Sequence, residues 1–389
     1  MSTTTPRIAD SPPGSPGRAS VLGTLGWGLY ASSSWTWCIG MFLPIVLMKY
    51  LGWAGFLIFA IPNILGVVAF GYLFDAEASR RLLTRHRPAI RVFSVVTVAY
   101  QLFFVAWIVS GLLPESGGTA GALVALGVWV LGLALAAIPD RAWMLLGAAC
   151  WAVSIGLFLG FLSTYGPGSL ADPPARGLLE TTDVIALAPA IIFGFLLCPW
   201  LDGSFHRARI RSGSPHTFAV FAVGFLPMIL FTVAYAATGG GLVVDVLVVI
   251  QLLMQATFTS AVHLREGWLG GLGASRDRAG TWPLAALLPA ACILLGTLPW
   301  FADETTYLRF LGCYGLVFPA YALLFMSPLG SLRTSRLTLV LAAIILIPCA
   351  IAYELAFIGH RTIGVPFAVA ILLLLAILIA LGSGRRAAS

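Results

Sequence analysis

Two ionisable residues, Asp202 and His206, lie four positions apart at the end of a long apolar stretch of the sequence. Residues at this spacing share one face of a helix. A carboxylate next to an imidazole can gate a water-filled passage or relay a proton, because histidine changes charge near neutral pH. The alternative is the capped end of a helix beside Arg207, with no role in chemistry. The sequence leaves both interpretations open.

Two apolar stretches are interrupted by residues that disfavour a continuous helix. The first reads Gly-Leu-Tyr-Ala-Ser-Ser-Ser-Trp over 28–35, and the second reads Cys-Pro-Trp-Leu-Asp-Gly-Ser over 198–204. Serine hydroxyls hydrogen-bond nearby backbone groups and compete with the helical ladder. Pro199 removes one backbone donor and clashes with the preceding turn. Each stretch is therefore predicted to contain a break, although a simple kink is the alternative for either one alone.

The amino-acid composition indicates whether the chain is a soluble protein or a membrane protein. Of the 389 residues, 59% are hydrophobic and 10% are charged, and the mean hydropathy is +0.97. A soluble domain carries about a quarter charged residues. The six cysteines lie in apolar runs without a C-x-x-C pair, so neither a disulfide framework nor a zinc site is expected. The composition indicates a polytopic membrane protein and argues against a soluble, secreted or nucleic-acid-binding one.

Apolar runs between clusters of charge predict about twelve membrane-spanning helices. They lie near 21–48, 52–74, 90–113, 119–138, 142–163, 182–204, 215–238, 242–264, 282–301, 305–327, 337–357 and 363–382. With a cytoplasmic amino terminus, 18 of the 22 basic residues fall on the cytoplasmic side. Basic residues are retained on that side. We therefore expect a multi-pass protein of the cell (inner) membrane with both termini in the cytoplasm.

The two interrupted stretches are the first and the sixth of these spans. Because five is odd, a repeat of five spans must have inverted topology. Matching interrupted spans in inverted halves indicate a transport site near the middle of the membrane. The predicted organisation is a tail (1–20), a first repeat (21–163), an extracellular loop (164–181), a second repeat (182–327), two additional helices (337–382) and a cytoplasmic tail (383–389).

Ten core spans followed by two more, with breaks in spans 1 and 6, resemble the LeuT-type fold of amino-acid and sodium:solute symporters, in the amino acid-polyamine-organocation superfamily. The resemblance implies an all-α membrane protein with a 5+5 inverted repeat, in which the solute binds between the two breaks. The substrate-binding residues that it implies are Ser32, Ser33, Ser34, Trp35, Tyr100, Gly194, Phe195 and Trp200.

The resemblance also implies a sodium site. In that family the ion is held by a small residue's carbonyl and by hydroxyls three and four positions later in span 8, together with carbonyls of span 1. The matching residues of this sequence are Ala256, Thr259 and Ser260, with Ala31 and Ser34 in span 1. The alternative is that the Thr and Ser hydroxyls bond to their own helix or form a packing face of small residues.

These patterns favour a secondary transporter that carries a small polar organic solute by alternating access, coupled to a cation, with sodium preferred. No other cofactor and no nucleic acid are expected, so the partners are the solute and the lipid bilayer. One alternative is a membrane-embedded enzyme that uses Asp202 and His206 as an acid/base pair. Another is a sensor built on a transporter scaffold.

Overall fold

A computed structural model of the chain describes residues 20–167, 170, 179–237, 241–269, 282–327, 332 and 334–387. Apart from a few residues at their ends, the predicted tail 1–20 and the predicted loop 164–181 lie outside the described residues. The last helix continues through most of the segment 383–389 that the sequence predicts as a tail.

The described chain is almost entirely helical. The helices are α1 (Val21–Trp35), α2 (Cys38–Leu73), α3 (Ala76–Arg85), α4 (Arg87–Leu112), α5 (Thr119–Ala136), α6 (Trp143–Tyr165), α7 (Thr181–Leu197), α8 (Gly203–Ser212), α9 (Thr217–Ala234), α10 (Val246–Leu264), α11 (Trp282–Leu295), α12 (Glu304–Met326), α13 (Arg336–Phe357) and α14 (Gly364–Ala387). Two short antiparallel strands follow α9: β1 (Ala236–Ala237) and β2 (Gly241–Leu242).

Within the part of the chain that the structure describes, nine helices are long and apolar enough to cross a membrane, and two shorter apolar helices accompany them. Large apolar side chains such as Leu57, Val223 and Ile347 are exposed on the outside of the bundle. Such residues are stable in contact with lipid, where helices also satisfy their own backbone groups. The prediction of an all-α polytopic membrane protein is confirmed at this level.

The predicted boundary between the first two spans lies inside α2. At Gly52 the backbone adopts φ 59° and ψ −149°, a conformation that only glycine adopts without strain. This residue separates a helix at 38–51 from a second one at 53–73. The non-helical residue lies where the sequence predicts the division between the first two spans, between 48 and 52. The assignment of 38–51 to the first span stays a prediction.

Both predicted interruptions are present in the backbone. After α1, Thr36 and Trp37 leave the helical conformation, and the chain becomes helical again at Cys38. After α7, a 3₁₀ turn over Cys198–Leu201 leads into α8. Asp202 is extended there and caps α8, because its Oδ1 accepts a hydrogen bond of 2.7 Å from the backbone nitrogen of Ser204. We call these interruptions the first break and the second break.

The two breaks lie next to each other. The hydroxyls of Ser34, in the last turn of α1, and Ser204, in the first turn of α8, are 3.0 Å apart and buried. The rings of Trp35 and Phe205 pack with their centroids 4.8 Å apart. Polar backbone at membrane depth is tolerated only where protein or water satisfies it, so adjacent breaks mark an internal polar region.

A surface helix, α3, identifies the basic side of the molecule. In α3 the side chains of Arg80 and Arg81 are exposed. Asp75 caps this helix by accepting a hydrogen bond of 2.6 Å from the backbone nitrogen of Ala78, and this bond lowers the pKa of its carboxyl. Helix α3 packs against α8, so both belong to one side. We call it the basic side and the other the opposite side.

Helix α7 is tightly held between α2 and α12. A Cβ added at Gly66 of α2 would lie 2.2 Å from the carbonyl oxygen of Phe195, and one added at Gly194 would lie 2.8 Å from that of Tyr314. Both neighbours are backbone atoms, which cannot swing away as a side chain can. Glycine at these positions allows α7 to approach both helices closely and places the second break against α12.

Replacing Gly66 by alanine should therefore destabilise the protein. The added methyl group has to push α7 away from α2, and overpacking of this kind costs roughly 1–3 kcal/mol. The measurement is thermal unfolding of the purified protein in detergent. Gly156 is the matched control, because a Cβ there has no atom within 4 Å. Equal unfolding temperatures for Gly66→Ala and Gly156→Ala would contradict the close approach.

Candidate functional site

A cavity of about 290 Å³ lies where the two breaks meet α12 and α13. Both breaks and the facing turn of α12 contribute to its lining: Trp35, Trp37, Gly194, Phe195, Cys198 and Tyr314. Most of this lining is apolar or aromatic. Binding sites for small molecules are typically concave and apolar with a few polar groups, and they measure roughly 300–1,000 Å³. The cavity is at the small end of that range.

An ion pair forms the rim of this cavity. Arg309 of α12 and Glu354 of α13 line it, and their side chains approach to 2.7 Å. About half of each side chain is exposed, so the cavity reaches the surface here. The outer end of α13 also contributes Phe357. The rim lies on the opposite side of the molecule from α3, and it supplies both a positive and a negative group to any molecule that enters.

The wall that α12 contributes is a π-helical turn over Cys313–Val317. Such turns leave backbone groups outside the regular ladder and occur frequently at functional sites. Here the carbonyl of Tyr314 accepts a hydrogen bond from the Cys198 thiol at 3.1 Å. The carbonyl of Gly315 accepts one from the Tyr353 hydroxyl at 2.9 Å. The irregular turn is thus bonded to the second break on one side and to α13 on the other.

Side chains of other helices satisfy the backbone of the first break. The backbone nitrogen of Cys38 donates to the Gln101 side chain at 2.7 Å, and its carbonyl accepts from the Tyr307 hydroxyl at 3.0 Å. Two residues later the carbonyl of Gly40 accepts from the hydroxyl of Thr232 at 2.9 Å. The break is therefore held from α4, α12 and α9, which makes its geometry a property of the whole bundle.

The three serines predicted to bind substrate do not line the cavity. Ser32 donates to a carbonyl of α9 at 3.3 Å, and Ser33 donates to a carbonyl of α6 at 2.9 Å. Ser34 bonds to Ser204 of α8. Consecutive helical residues point about 100° apart, because a turn holds 3.6 residues. The serines therefore face three different neighbours and attach α1 to each of them.

The other predicted substrate residues divide into two groups. Trp35, Gly194 and Phe195 line the cavity, as expected. Tyr100 does not, because it is buried among aromatic rings and its hydroxyl donates to a backbone carbonyl of α12 at 2.9 Å. Trp200 does not either, because it lies in the 3₁₀ turn on the basic side and packs against a phenylalanine at the end of α2.

The residues that the resemblance assigned to sodium are buried, but several of their polar atoms are occupied. The hydroxyl of Thr259 donates at 2.7 Å to a carbonyl one turn earlier in α10. The hydroxyl of Ser34 also contacts the Ala31 carbonyl at 3.0 Å. Ser260 packs against Gly132 of α5, and Ala256 belongs to an apolar cluster formed by residues of α10, α4 and α5. The Ser260 hydroxyl is buried and has no hydrogen-bond partner among the described residues. Bonding within the helix therefore accounts for the hydroxyls of Thr259 and Ser34, and the sodium site stays a prediction.

Asp202 and His206 are fully buried and do not line the cavity. Asp202 serves as the cap of α8, and the Nε2 of His206 lies 2.9 Å from the carbonyl of Trp200. Both side chains form hydrogen-bond contacts with backbone atoms at the second break or in the first turn of α8. Their remaining polar atoms, Asp202 Oδ2 and His206 Nδ1, have no hydrogen-bond partner among the described residues. Gating or proton relay by this pair stays a prediction.

The sequence interpretation missed an ion network on the basic side. Arg207 of α8 is fully buried and contacts Glu266, at the end of α10, and Asp140, 3.2 Å away at the start of α6. Asp140 also pairs with Arg211 and Arg265. The available signal was the presence of two acidic residues in segments predicted to face the cytoplasm, where basic residues otherwise dominate. We call this group the Arg207 network.

No family model, curated protein or solved structure matches this chain. The function of this chain therefore has to be inferred from the geometry of its own residues. Among the described residues, no three His, Cys, Asp or Glu side chains form a group that could hold a metal ion. The site consists of a small apolar cavity, formed at two broken helices, with an ion pair at its open rim and an ion network on the side away from the rim.

Proposed function

We propose that this protein is a secondary transporter that carries a small organic solute across the membrane by alternating access. The observation that carries the proposal is that both interrupted helices contribute residues to one cavity. Interrupted helices place irregular backbone at membrane depth, and transporters use such segments to bind solutes near the middle of the bilayer. The bonds between each break and its neighbours hold the irregular backbone in place at this cavity.

The two sides of the site differ in a way that suits alternating access. The cavity reaches the surface beside Arg309 and Glu354, whereas the Arg207 network ties α8 to α6 and α10 on the basic side. In the proposed cycle, the solute enters at the rim, and the network separates when the basic side opens. We further propose the inverted repeats 21–163 and 182–327, two additional helices, and termini in the cytoplasm, which makes the rim side extracellular.

The cavity narrows the class of solute. Its aromatic lining, with Trp35, Trp37 and Phe195, stabilises an apolar body by excluding water from it. The rim pair Arg309 and Glu354 can exchange partners with a carboxylate or an amine of the solute. We therefore propose a small solute with one polar or charged end and an apolar or aromatic body, in place of a uniformly polar molecule.

A ligand screen tests this proposal. The unfolding temperature of the purified protein should rise with a solute of this class, because a ligand that binds only the folded state stabilises it. The panel contains aromatic and aliphatic carboxylates, amino acids and amines, with sugars as polar controls. The solute that raises the unfolding temperature should also accumulate in proteoliposomes but not in protein-free liposomes. If no panel member binds and none accumulates, the transporter proposal fails.

A further inference from the structure

The side chain of Gln255, in α10, faces the first break. It is fully buried, and the hydroxyl of Ser154 in α6 lies 2.8 Å from one end of its amide. The other end lies 3.1 Å from the carbonyl oxygen of Ser33 and 3.3 Å from that of Thr36. Carbonyl oxygens only accept hydrogen bonds, so the end that faces both carbonyls is the NH₂ group. The amide oxygen then accepts from Ser154.

The two carbonyls belong to the carboxyl-terminal end of α1. The backbone nitrogen of Thr36 makes the last hydrogen bond of this helix, to the carbonyl of Ser33. The Ser33 carbonyl therefore has one partner already and a second lone pair to offer, whereas the last carbonyls of a helix in general lack partners within it and carry the negative end of its dipole. Buried in a membrane protein, they need either hydrogen-bond donors or a cation. The Gln255 amide supplies two N–H donors at this place.

We infer that the Gln255 amide takes the place of a coupling cation between α10 and the first break. Both a sodium ion and an NH₂ group satisfy carbonyl oxygens, but the amide does so as part of the chain and without a net charge. The same side chain also bonds to α6, so it joins three helices. The connection between α1 and α10 then needs no sodium. The structural part of the inference, the bond between Gln255 and the first break, does not depend on the proposed function. Its consequence, transport that is not driven by sodium, rests on that proposal.

The contacts around Gln255 favour the amide as the partner of the first break over the predicted sodium site, in which the hydroxyls of Thr259 and Ser260 would form a cage around the ion. The Thr259 hydroxyl, which the cage needs, donates to the backbone carbonyl of Gln255 itself and so reinforces α10. Ser260 is on the α5 side of α10, whereas Gln255 is on the α1 side. Among the residues of α10 that the structure describes, Gln255 is thus the one that hydrogen-bonds the first break.

The test uses Gln255→Glu and a sodium titration at constant ionic strength, with choline as the replacement. An ionised carboxylate cannot donate to the two carbonyls, so the variant needs a cation or a proton between the oxygens. We expect its unfolding temperature to be several degrees lower without sodium and to rise saturably as sodium is added. The wild-type protein should show no such rise. The readout is stability, so the result does not depend on whether the chain transports anything.

Gln251→Glu is the matched control. Gln251 is buried one turn earlier in the same helix, and its amide oxygen has no partner among the described residues. This variant should be destabilised without gaining a response to sodium. Equal behaviour of the two glutamate variants would overturn the inference.

A second measurement covers the case in which Gln255→Glu does not fold. Wild-type protein is incubated with radioactive sodium, and equilibrium binding is measured with and without Thr259→Ala and Ser260→Ala. We expect no saturable binding to the wild-type protein. Saturable binding that disappears in the double variant would show that the hydroxyl cage holds sodium, and the assignment to Gln255 would then be wrong.

Discussion

Replacing Arg207 by alanine should lower the free energy of unfolding by roughly 3–5 kcal/mol, the usual cost of removing one partner of a buried ion pair. Arg207 has no exposed surface, and the side chain of its partner Glu266 is only 3% exposed. Without the guanidinium, Glu266 is left as a buried negative charge. Asp140 loses less stabilisation, because it still forms ion pairs with Arg211 and Arg265. Chemical unfolding in a mild detergent measures the loss.

Two further variants separate this effect from a general loss of packing. Arg207→Met combined with Glu266→Met removes both charges, and it should recover most of the lost stability, because uncharged side chains need no ionic partner in a buried site. Arg80→Ala is the control on the surface, since Arg80 pairs with Glu77 at 3.8 Å and is more than half exposed. It should cost no more than about 1 kcal/mol. Similar losses in Arg207→Ala and Arg80→Ala would contradict a buried network.

The Arg207 network also has a predicted role in the transport cycle. It ties the short helix α8, which follows the second break, to α6 and α10. It connects these helices on the side away from the rim, so in the proposed cycle these ionic contacts have to separate before the basic side opens. The double methionine variant should therefore shift the resting population toward opening on the basic side, even where its stability is restored.

Replacing Gly312 by phenylalanine should abolish most solute binding while leaving the fold intact. Gly312 lines the cavity, and a Cβ added there has no atom within 4 Å. The first atom of the new side chain therefore meets no neighbour, and we expect the ring to extend into the cavity without displacing the backbone. We expect uptake of the solute found in the screen to fall by about tenfold or more, which corresponds to a loss of roughly 1.4 kcal/mol of binding free energy.

The matched control for this variant is Gly156→Phe. Gly156 is also free of neighbours within 4 Å, but it lies on an exposed face of α6, away from the cavity. Both variants add the same aromatic surface, and both should unfold near the wild-type temperature. Uptake should fall only in Gly312→Phe. If the two variants transport equally well, the cavity is not the solute site.

Local features of the sequence predicted the helices and their interruptions well. Apolar runs bounded by charge predicted most of the long apolar helices to within a few residues, because a segment in lipid must be apolar along its whole length. The count of twelve spans stays a prediction. Pro199 and the turn residues after it predicted the second break for a local reason, the loss of a backbone donor. The serines predicted the first break only approximately. They are themselves helical, and the chain leaves the helix at Thr36 and Trp37, just after them.

The site was predicted less well, and the reason is the direction in which side chains point. The sequence identifies Ser32, Ser33 and Ser34 as polar residues at membrane depth, but it contains no information on which neighbour each will meet. Tyr100 was expected at the solute, yet it bonds to a carbonyl of α12. The lining from Gly312 to Tyr314 was not predicted, since two glycines and a π-helical turn within α12 have no clear hydropathy signal.

Composition and residue spacing predict a set of apolar helices, two of them broken, with basic residues concentrated at one side. These properties depend on the solvent and on neighbouring residues along the chain, so composition and spacing are enough to predict them. Only the tertiary structure decided that the breaks share one cavity, that Gln255 bonds the first break, and that Arg207 is buried with Glu266. Such contacts join residues far apart in the chain, and they form only when helix packing has set each residue's depth and direction.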